Sequence, residues 1–262
     1  MPGDYLDHPG PLAFAHRGGS GHNPENSWPA FEHAVRLGYS YLETDAHSTC
    51  DGILVAFHDN TLDRVTDRSG SIADLPASEV AAARIGGVEP IPVLAELLAA
   101  WPDVRFNIDV KHPSAARPLA ELIRRAAAWD RVCITSFSAA RLRATRRYLD
   151  RPVAMAASPV GAVALRSWLP VRALAPAFAR RGVRCAQLPI PMAKSPLIAR
   201  AHLAGLQVHI WTVNERSMMN SLLDLGVDGL MTDNTELLRE VLLARGQWHP
   251  RALSGLARAS AH

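Results

Sequence analysis

Acidic and basic side chains with a regular spacing occur in two short stretches of this 262-residue chain. In "YLETDAH", Glu43 and Asp45 are two residues apart, so an extended strand points both carboxylates to one side. In "FNIDVKH", the same alternation places Asn107, Asp109 and Lys111 on one face. Carboxylates held this close repel each other unless a cation lies between them. Three acids on two neighbouring strands therefore predict an oxygen-rich site suited to Mg2+ or Ca2+.

Two histidines add groups that can transfer protons. His16 follows the apolar stretch "LAFA" and precedes Arg17 and two glycines, whereas His58 ends the stretch "VAFH". A histidine pair beside a divalent cation, with Arg17 and Lys111 nearby, supplies an acid, a base, a Lewis acid and an anion clamp. These parts suit phosphoryl chemistry, although none of them alone is specific for it. The alternative is a structural salt-bridge network in which Arg17 and Lys111 neutralise the carboxylates.

Eight short apolar segments alternate with longer stretches of helical period, which is typical of repeated β-α units around a parallel sheet. This number of units predicts an α/β fold, a (β/α)8 TIM barrel, whose active site lies where the strands end. Trp211, at the end of "HIW", is interpreted as a wall of the substrate site. The predicted strands are "LAFAH", "YLETD", "VRFNIDV", "RVCITSF", "PVAMAA", "RCAQLP", "LQVHIWTV" and "DGLMTD".

The chain is predicted to form one domain over residues 1–246. The spacing between strands is regular except after the second strand, where residues 47–90 form an insertion. In this insertion, Asp51-Gly52 is a hairpin signal and "ILVAF" is an extra strand. The final segment, residues 247–262, is predicted to be a flexible tail.

Composition narrows the class of protein. The chain is 48% hydrophobic with a net charge of +3, and its arginines are spread through Ala-rich helical segments, so no nucleic-acid partner is expected. Cys50, Cys133 and Cys185 lack metal-type spacing and are expected to be reduced thiols. The chain shows neither a signal-peptide pattern nor a membrane-length apolar run, which favours the cytoplasm. The sequence does not indicate an oligomeric state.

One segment has a membrane alternative. In "SPVGAVALRSWLPVRALAPAF", Trp168, Leu169 and Arg172 suit a helix that lies in a membrane surface. Two interior prolines favour instead a barrel connection with a broken helix. Membrane association is therefore not favoured.

Several motifs together resemble the glycerophosphodiester phosphodiesterase family, in order and spacing, up to Gly246. They are "HRGGSGHNPENSWPAF", "YLETDAHSTCDGILVAFHDNTLDRVTDRSG", "IPVLAELL", "NIDVK", "WTVN" and "GVDGLMTD". The resemblance implies a distorted (β/α)8 barrel that uses a metal ion to hydrolyse glycerophosphodiesters to sn-glycerol 3-phosphate and an alcohol, a reaction of lipid metabolism. In this family the glycerol 2-hydroxyl is thought to attack phosphorus, giving a cyclic phosphate that water opens.

The resemblance also implies roles for matching positions. They are the general acid-base pair His16 and His58, the metal ligands Glu43, Asp45 and Asp109, and the phosphate-binding cations Arg17 and Lys111. Glu25 and Asn26 of "PENS" are expected to brace the site. Asp109 stands where the family usually has glutamate, which shortens the side chain by one methylene and could weaken metal binding. "PENS" replaces the more usual "PENT" and keeps the hydroxyl.

Two rival functions stay open at this point. One is a lysophospholipase D-like enzyme, which needs an apolar groove walled by the insertion and by "RSWLPV". The other is a barrel that binds phosphate tightly without turnover. Intact His16 and His58 weigh against the second rival.

Overall fold

The structure, a computed structural model, describes residues 4–167 and 170–251. Eight parallel strands form a closed barrel, because β1 pairs with β2 on one side and with β11 on the other. All eight predicted strands are present, so the predicted (β/α)8 barrel is confirmed. The barrel strands are β1 (Leu12–Ala15), β2 (Tyr41–Ser48), β6 (Arg105–Val110), β7 (Val132–Thr135), β8 (Ala154–Ala156), β9 (Val183–Pro189), β10 (Gln207–Trp211) and β11 (Gly229–Thr232). The additional strands are β3 (Leu54–Ala56), β4 (Arg84–Ile85) and β5 (Glu89–Pro90).

Helices surround the barrel and, except for a short helix (Ala77–Ala82) whose buried Val80 packs inside the insertion, bury an apolar side against the strands. Helix α4 shows why: its buried residues recur at helical spacing, whereas its arginines lie on the solvent side. The helices are α1 (Trp28–Arg36), α2 (Ala77–Ala82), α3 (Leu94–Ala100), α4 (Ala116–Arg125), α5 (Ala139–Tyr148), α6 (Pro159–Arg166), α7 (Val171–Ala179), α8 (Ser195–Leu203), α9 (Arg216–Asp224) and α10 (Thr235–Ala244).

The segment after β2 forms a small unit of its own. Strand β3 pairs antiparallel with the end of β2, and β4 and β5 form a hairpin. A separate apolar cluster that includes Phe57, Leu62, Ile72 and Ile85 stabilises this unit. The unit thereby holds the segment that carries His58 beside the barrel.

The two ends of the described chain lie against the barrel. Tyr5 is buried, and its carbonyl accepts a hydrogen bond from the Tyr41 hydroxyl at 2.8 Å. Trp248 packs edge-on against Tyr39, and the backbone N–H of Arg251 donates to the carbonyl of Gly38. Residues 247–251 of the predicted tail thus contact the domain, and residues 252–262 lie outside the described residues.

The segment with a membrane alternative forms two helices, α6 and α7. Trp168 and Leu169, which we singled out for this segment, lie outside the described residues. In the part of the chain that the structure describes, no helix combines the length and apolarity needed to cross a membrane.

Candidate active site

The strand β1 ends in an abrupt turn at His16. Arg17, Gly18 and Gly19 all adopt positive φ values of 52°, 85° and 91°. Glycine adopts such values at little cost, and a Cβ at Gly19 would lie 2.5 Å from Cγ2 of Thr235. The two glycines therefore let the backbone turn away sharply and leave His16 and Arg17 at the mouth of the barrel.

The carboxylates predicted from β2 and β6 come together as the alternation requires. The register pairs Asp45 with Asp109 and Glu43 with Asn107. All four side chains are buried and face the same cavity. The two strands therefore place three acids side by side in an interior from which bulk water is largely excluded.

Two cations compensate part of this negative charge. Lys111 Nζ lies 2.9 Å from Oδ1 of Asp45 and 2.8 Å from Oδ2 of Asp109. Arg17 Nε lies 3.4 Å from Oδ2 of Asp45. The backbone N–H of Arg17 donates to Oε2 of Glu43 at 2.9 Å. Glu43 is thus the acid with the weakest compensation by a cation.

The pKa values follow from this arrangement. Burial, followed by repulsion from Asp45, raises the pKa of Glu43 to about 7. Burial also raises the pKa of Asp109, although Lys111 opposes the shift. For Asp45, burial raises the pKa, but Lys111 and Arg17 outweigh it and the net shift is downward. A positive charge added near Glu43 and Asp109 would therefore be stabilised.

Each of the two histidines is held by a carboxylate that we did not single out from the sequence. Nδ1 of His16 lies 2.7 Å from Oδ1 of Asp233, and Nδ1 of His58 lies 2.6 Å from Oδ1 of Asp59. In each ring, Nε2 is left for proton transfer. Burial lowers the pKa of His16, but Glu43 and Asp233 outweigh it and the net shift is upward.

Further hydrogen bonds fix these partners in turn. Asp233 accepts from the Ser20 hydroxyl at 3.0 Å and from Nδ2 of Asn214 at 2.8 Å. Burial raises the pKa of Asp233, but its hydrogen bonds with His16 and Asn214 outweigh burial and hold it at about 2. The Arg64 hydrogen bond, aided by His58, lowers the pKa of Asp59 to about 2. Both carboxylates are therefore ionised at neutral pH.

Glu25 and Asn26, which we expected to brace the site, contact its charged groups. Glu25 Oε1 accepts from Nη1 of Arg17 at 3.0 Å and from Nη2 of Arg64 at 2.6 Å. Asn26 donates to Oδ2 of Asp45 at 2.9 Å and accepts from the Thr44 hydroxyl at 2.8 Å. These contacts fix the orientation of one cation and one carboxylate of the site.

A cavity of about 460 Å³ opens above these groups. Its floor is polar, and Asn107 and Gln187 pair across it at 2.8 Å. Its wall on the side of β7, α6 and β10 is largely apolar and includes Phe137, Val163 and Trp211. Trp211 and Phe137 pack edge to face with ring centroids 5.5 Å apart. The cavity therefore joins a charged floor to an apolar wall.

The acids of the site offer a divalent cation several hard oxygen donors, which are partly occupied by Lys111. Within residues 4–167 and 170–251, no group of three or more His, Cys, Asp or Glu side chains forms a coordination shell in this arrangement, and Lys111 lies between two of the acids. However, Oδ1 of Asp109 is buried and has no hydrogen-bond partner. Together with Glu43, the acid with the weakest compensation by a cation, this oxygen fits a hard cation such as Mg2+ or Ca2+.

Comparisons with known proteins identify the family of this chain. Residues 16–237 match the Glycerophosphoryl diester phosphodiesterase family. The chain is 44% identical to the probable glycerophosphodiester phosphodiesterase 2 of Mycobacterium tuberculosis over 255 residues, covering 94% of this chain and 96% of the relative. It is 29% identical to human lysophospholipase D GDPD1, covering 87% and 85% of the two chains.

Solved structures share the barrel. An Oleispira antarctica phosphodiesterase, solved in complex with its product sn-glycerol-3-phosphate, has a TM-score of 0.76 at 23% identity, with 89% of this chain and 97% of that chain covered. A glycerophosphodiester phosphodiesterase from Agrobacterium tumefaciens has a TM-score of 0.75 at 21% identity, with 87% and 99% covered. The fold, the matched residues and the identity to the mycobacterial relative lead to one assignment. This chain belongs to the glycerophosphodiester phosphodiesterase family, and it is an enzyme of the phosphoric diester hydrolase class.

Proposed function

We propose that the chain hydrolyses glycerophosphodiesters to sn-glycerol 3-phosphate and an alcohol, with a bound divalent cation and with His16 and His58 as the acid-base pair. The observation that carries this proposal is the shared cavity: both histidines line it together with Glu43, Asp45 and Asp109. A structural salt-bridge network has no need of two carboxylate-paired histidines at its edge.

The histidines move the protons. One imidazole takes a proton from the attacking hydroxyl, and the other gives a proton to the leaving alkoxide. Asp233 and Asp59 hold Nδ1 of the two rings, so the proton is accepted or delivered at Nε2. By resemblance to the family, the attacking group is the glycerol 2-hydroxyl, and water opens the cyclic phosphate in a second step.

The cations of the site bind and orient the phosphodiester. Arg17 and Lys111 line the cavity on either side of Asp45 and attract phosphate oxygens. The Arg17 side chain is held in place by Glu25, which limits the freedom it loses when it binds a ligand. A phosphodiester bound by these two cations would lie in the cavity that both imidazoles line.

Glu43, Asp45 and Asp109 would hold the divalent cation. When bound, the cation stabilises negative charge on the phosphoryl oxygens as a Lewis acid. Asp109 is one methylene shorter than the glutamate usual in the family. Its Oδ1 has no hydrogen-bond partner, so this oxygen would bind the ion directly or through a water molecule.

The experiment is a coupled assay for glycerol 3-phosphate with glycerophosphocholine and glycerophosphoethanolamine. The protein is chelated and then supplied with Mg2+, Ca2+ or Mn2+. Wild type should regain turnover with at least one cation, whereas His16→Ala, His58→Ala and Glu43→Ala should each lose about 10²-fold or more. The control His22→Ala changes an exposed histidine outside the cavity and should keep wild-type turnover. Full turnover by both catalytic-histidine variants would refute the assignment.

The apolar wall favours a second candidate, hydrolysis of lysophospholipids by a lysophospholipase D-like reaction. Phe137, Val163 and Met192 line the cavity, and Phe137 and Val163 are exposed to solvent, so an acyl chain could lie along them. Human lysophospholipase D is a 29% identical relative. Release of choline from lysophosphatidylcholine, but not from glycerophosphocholine, would select this candidate. Binding of both compounds without turnover under any cation would select a non-catalytic barrel.

A further inference from the structure

Basic and acidic residues are distributed unevenly between residues 139–203 and the rest of the chain. Residues 139–203, which form α5 to α8 with β8 and β9, carry twelve Lys and Arg but one acid, Asp150. The rest of the chain carries sixteen Lys and Arg against twenty-four Asp and Glu. One side of the barrel is therefore strongly positive, although the net charge of the whole chain is only +3.

The positive side faces solvent. Arg143 of α5, Arg172 of α7 and Arg181 after α7 are exposed. Among residues 4–167 and 170–251, these three form no ion pair with an acid. Their charge is consequently available to an anionic partner.

Apolar side chains interrupt this positive side at the mouth of the active site. Val160 and Val163 of α6 are 68% and 66% exposed, and Phe137 at the end of β7 is 63% exposed. Helix α6 lies between two depressions: Val163 lines the active-site cavity, and Val160 lines a groove of about 320 Å³ between α5 and α7. Arg143 and Arg181 also line this groove.

Against the expectation from the sequence, which did not favour membrane association, we propose that the face formed by α5, α6 and α7 is a docking surface for an anionic phospholipid bilayer. Exposed valines can enter the boundary of the acyl chains, and the arginines beside them can bind the anionic headgroups. The active-site cavity opens at the edge of this face, so a docked enzyme takes substrate from the membrane or its immediate vicinity.

A lipid surface accounts for features that other partners leave unexplained. Nucleic-acid surfaces combine positive charge with aromatic stacking platforms, but here the exposed large apolar side chains of α6 itself, Val160 and Val163, are aliphatic. A protein interface of ordinary size would have a desolvated core enriched in aromatic residues, whereas the groove beside α6 combines Val160 with Arg143 and Arg181. The bilayer is therefore the occupant that the charge and the apolar residues favour together.

The test is sedimentation of the full chain with vesicles of phosphatidylcholine and with vesicles of an equimolar phosphatidylcholine and phosphatidylglycerol mixture. Wild type should bind the anionic vesicles much more tightly, and added salt should weaken this binding. Since each arginine near an anionic surface contributes about fivefold in partitioning, Arg143→Gln with Arg181→Gln should reduce binding about 25-fold. Val160→Asp should reduce it about tenfold or more.

Matched variants separate this surface from general charge. Arg36→Gln with Arg68→Gln causes the same change of net charge at exposed sites outside residues 139–203, and Val88→Asp replaces a valine that is 72% exposed in the insertion. These controls should bind anionic vesicles within about threefold of wild type. Equal losses in the arginine pair and its control would overturn the proposal. So would equal wild-type binding to both vesicle types, or displacement of bound vesicles by a short DNA duplex.

Vesicle binding and catalysis are read separately. None of the substituted residues lines the active-site cavity, so turnover of water-soluble glycerophosphocholine should stay at the wild-type level in every variant. Docking without turnover would contradict the proposed reaction and leave the surface intact, and turnover without docking would do the reverse.

Discussion

Replacing Asp233 by asparagine should impair catalysis without removing a group that touches the substrate. Asp233 holds Nδ1 of His16 at 2.7 Å and is itself held by Ser20 and Asn214. Asparagine keeps the size of the side chain but removes its charge. It can also present an amide N–H to Nδ1, which favours the wrong tautomer of His16 for accepting a proton at Nε2.

The magnitude follows from the pKa of Asp233, which is about 2 against an ordinary value of 3.8. At about 1.36 kcal/mol per pKa unit, its surroundings stabilise the ionised carboxylate by about 2 kcal/mol. Asn214 and Ser20 share this stabilisation with His16, so loss of the His16 part corresponds to about tenfold in rate, and a tautomer change brings the expected loss of kcat to about thirty- to hundredfold. The stabilisation of the fold is present above the ordinary carboxyl pKa and is lost as pH falls toward about 2.

The assay is the pH profile of kcat and kcat/KM for Asp233→Asn. Because Asp233 raises the pKa of His16, the limb of the profile that reports His16 should move to lower pH. Ser20→Ala is the control, since it removes one hydrogen bond from an uncharged donor to the same carboxylate oxygen and leaves the charge of Asp233 in place; it should change kcat by about threefold at most. An Asp233→Asn variant with wild-type kcat and an unmoved limb would refute a positioning role.

Three further predictions concern pH, backbone and cation binding. Burial lowers the pKa of His47 to about 4, so the neutral ring stabilises the fold fully above the ordinary histidine pKa. Up to about 3 kcal/mol of this stabilisation is lost as pH falls toward about 4. In urea titrations, the free energy of unfolding of His47→Gln should therefore lack this dependence on pH. Gly19 and Gly52 both have φ near 90°, but of the two only Gly19 has a neighbour within 4 Å of an added Cβ. Gly19→Ala should therefore destabilise the fold by about 2 kcal/mol or more, and the control Gly52→Ala by about 1 kcal/mol. Equal melting temperatures of the two variants would contradict the clash at Gly19. Asp109→Glu should raise the melting temperature gained on adding cation, measured by thermal unfolding, and an unchanged gain would show that the shorter carboxylate does not limit binding.

The sequence predicted those parts of the site that a strand arranges locally. Strand alternation is a property of the backbone, so the spacing of Glu43 and Asp45 and of Asn107 and Asp109 sufficed to place their side chains on one face. The turn at Asp51 and the ends of the helices could also be predicted from the sequence, because turn residues act over only a few positions.

Contacts between distant segments were not visible in the same way. Lys111 was predicted as a phosphate-binding cation, and the structure shows its ammonium between Asp45 and Asp109, a contact that depends on the register of β2 and β6. Arg64 pairs with Glu25 across 39 residues and with Asp59, although nothing in its own neighbourhood distinguishes it from the other arginines. The only signals for Asp59 and Asp233 were their positions beside His58 and at the end of "GVDGLMTD".

The two histidine-carboxylate pairs differ in what they require of the fold. His58 and Asp59 are adjacent in the chain, so their pairing needs only the local backbone of the insertion. His16 and Asp233 are 217 residues apart and meet only because β1 and β11 pair to close the barrel. Closure therefore completes the acid-base pair, and any change that loosens the β1–β11 seam should weaken proton transfer at His16 before it affects His58.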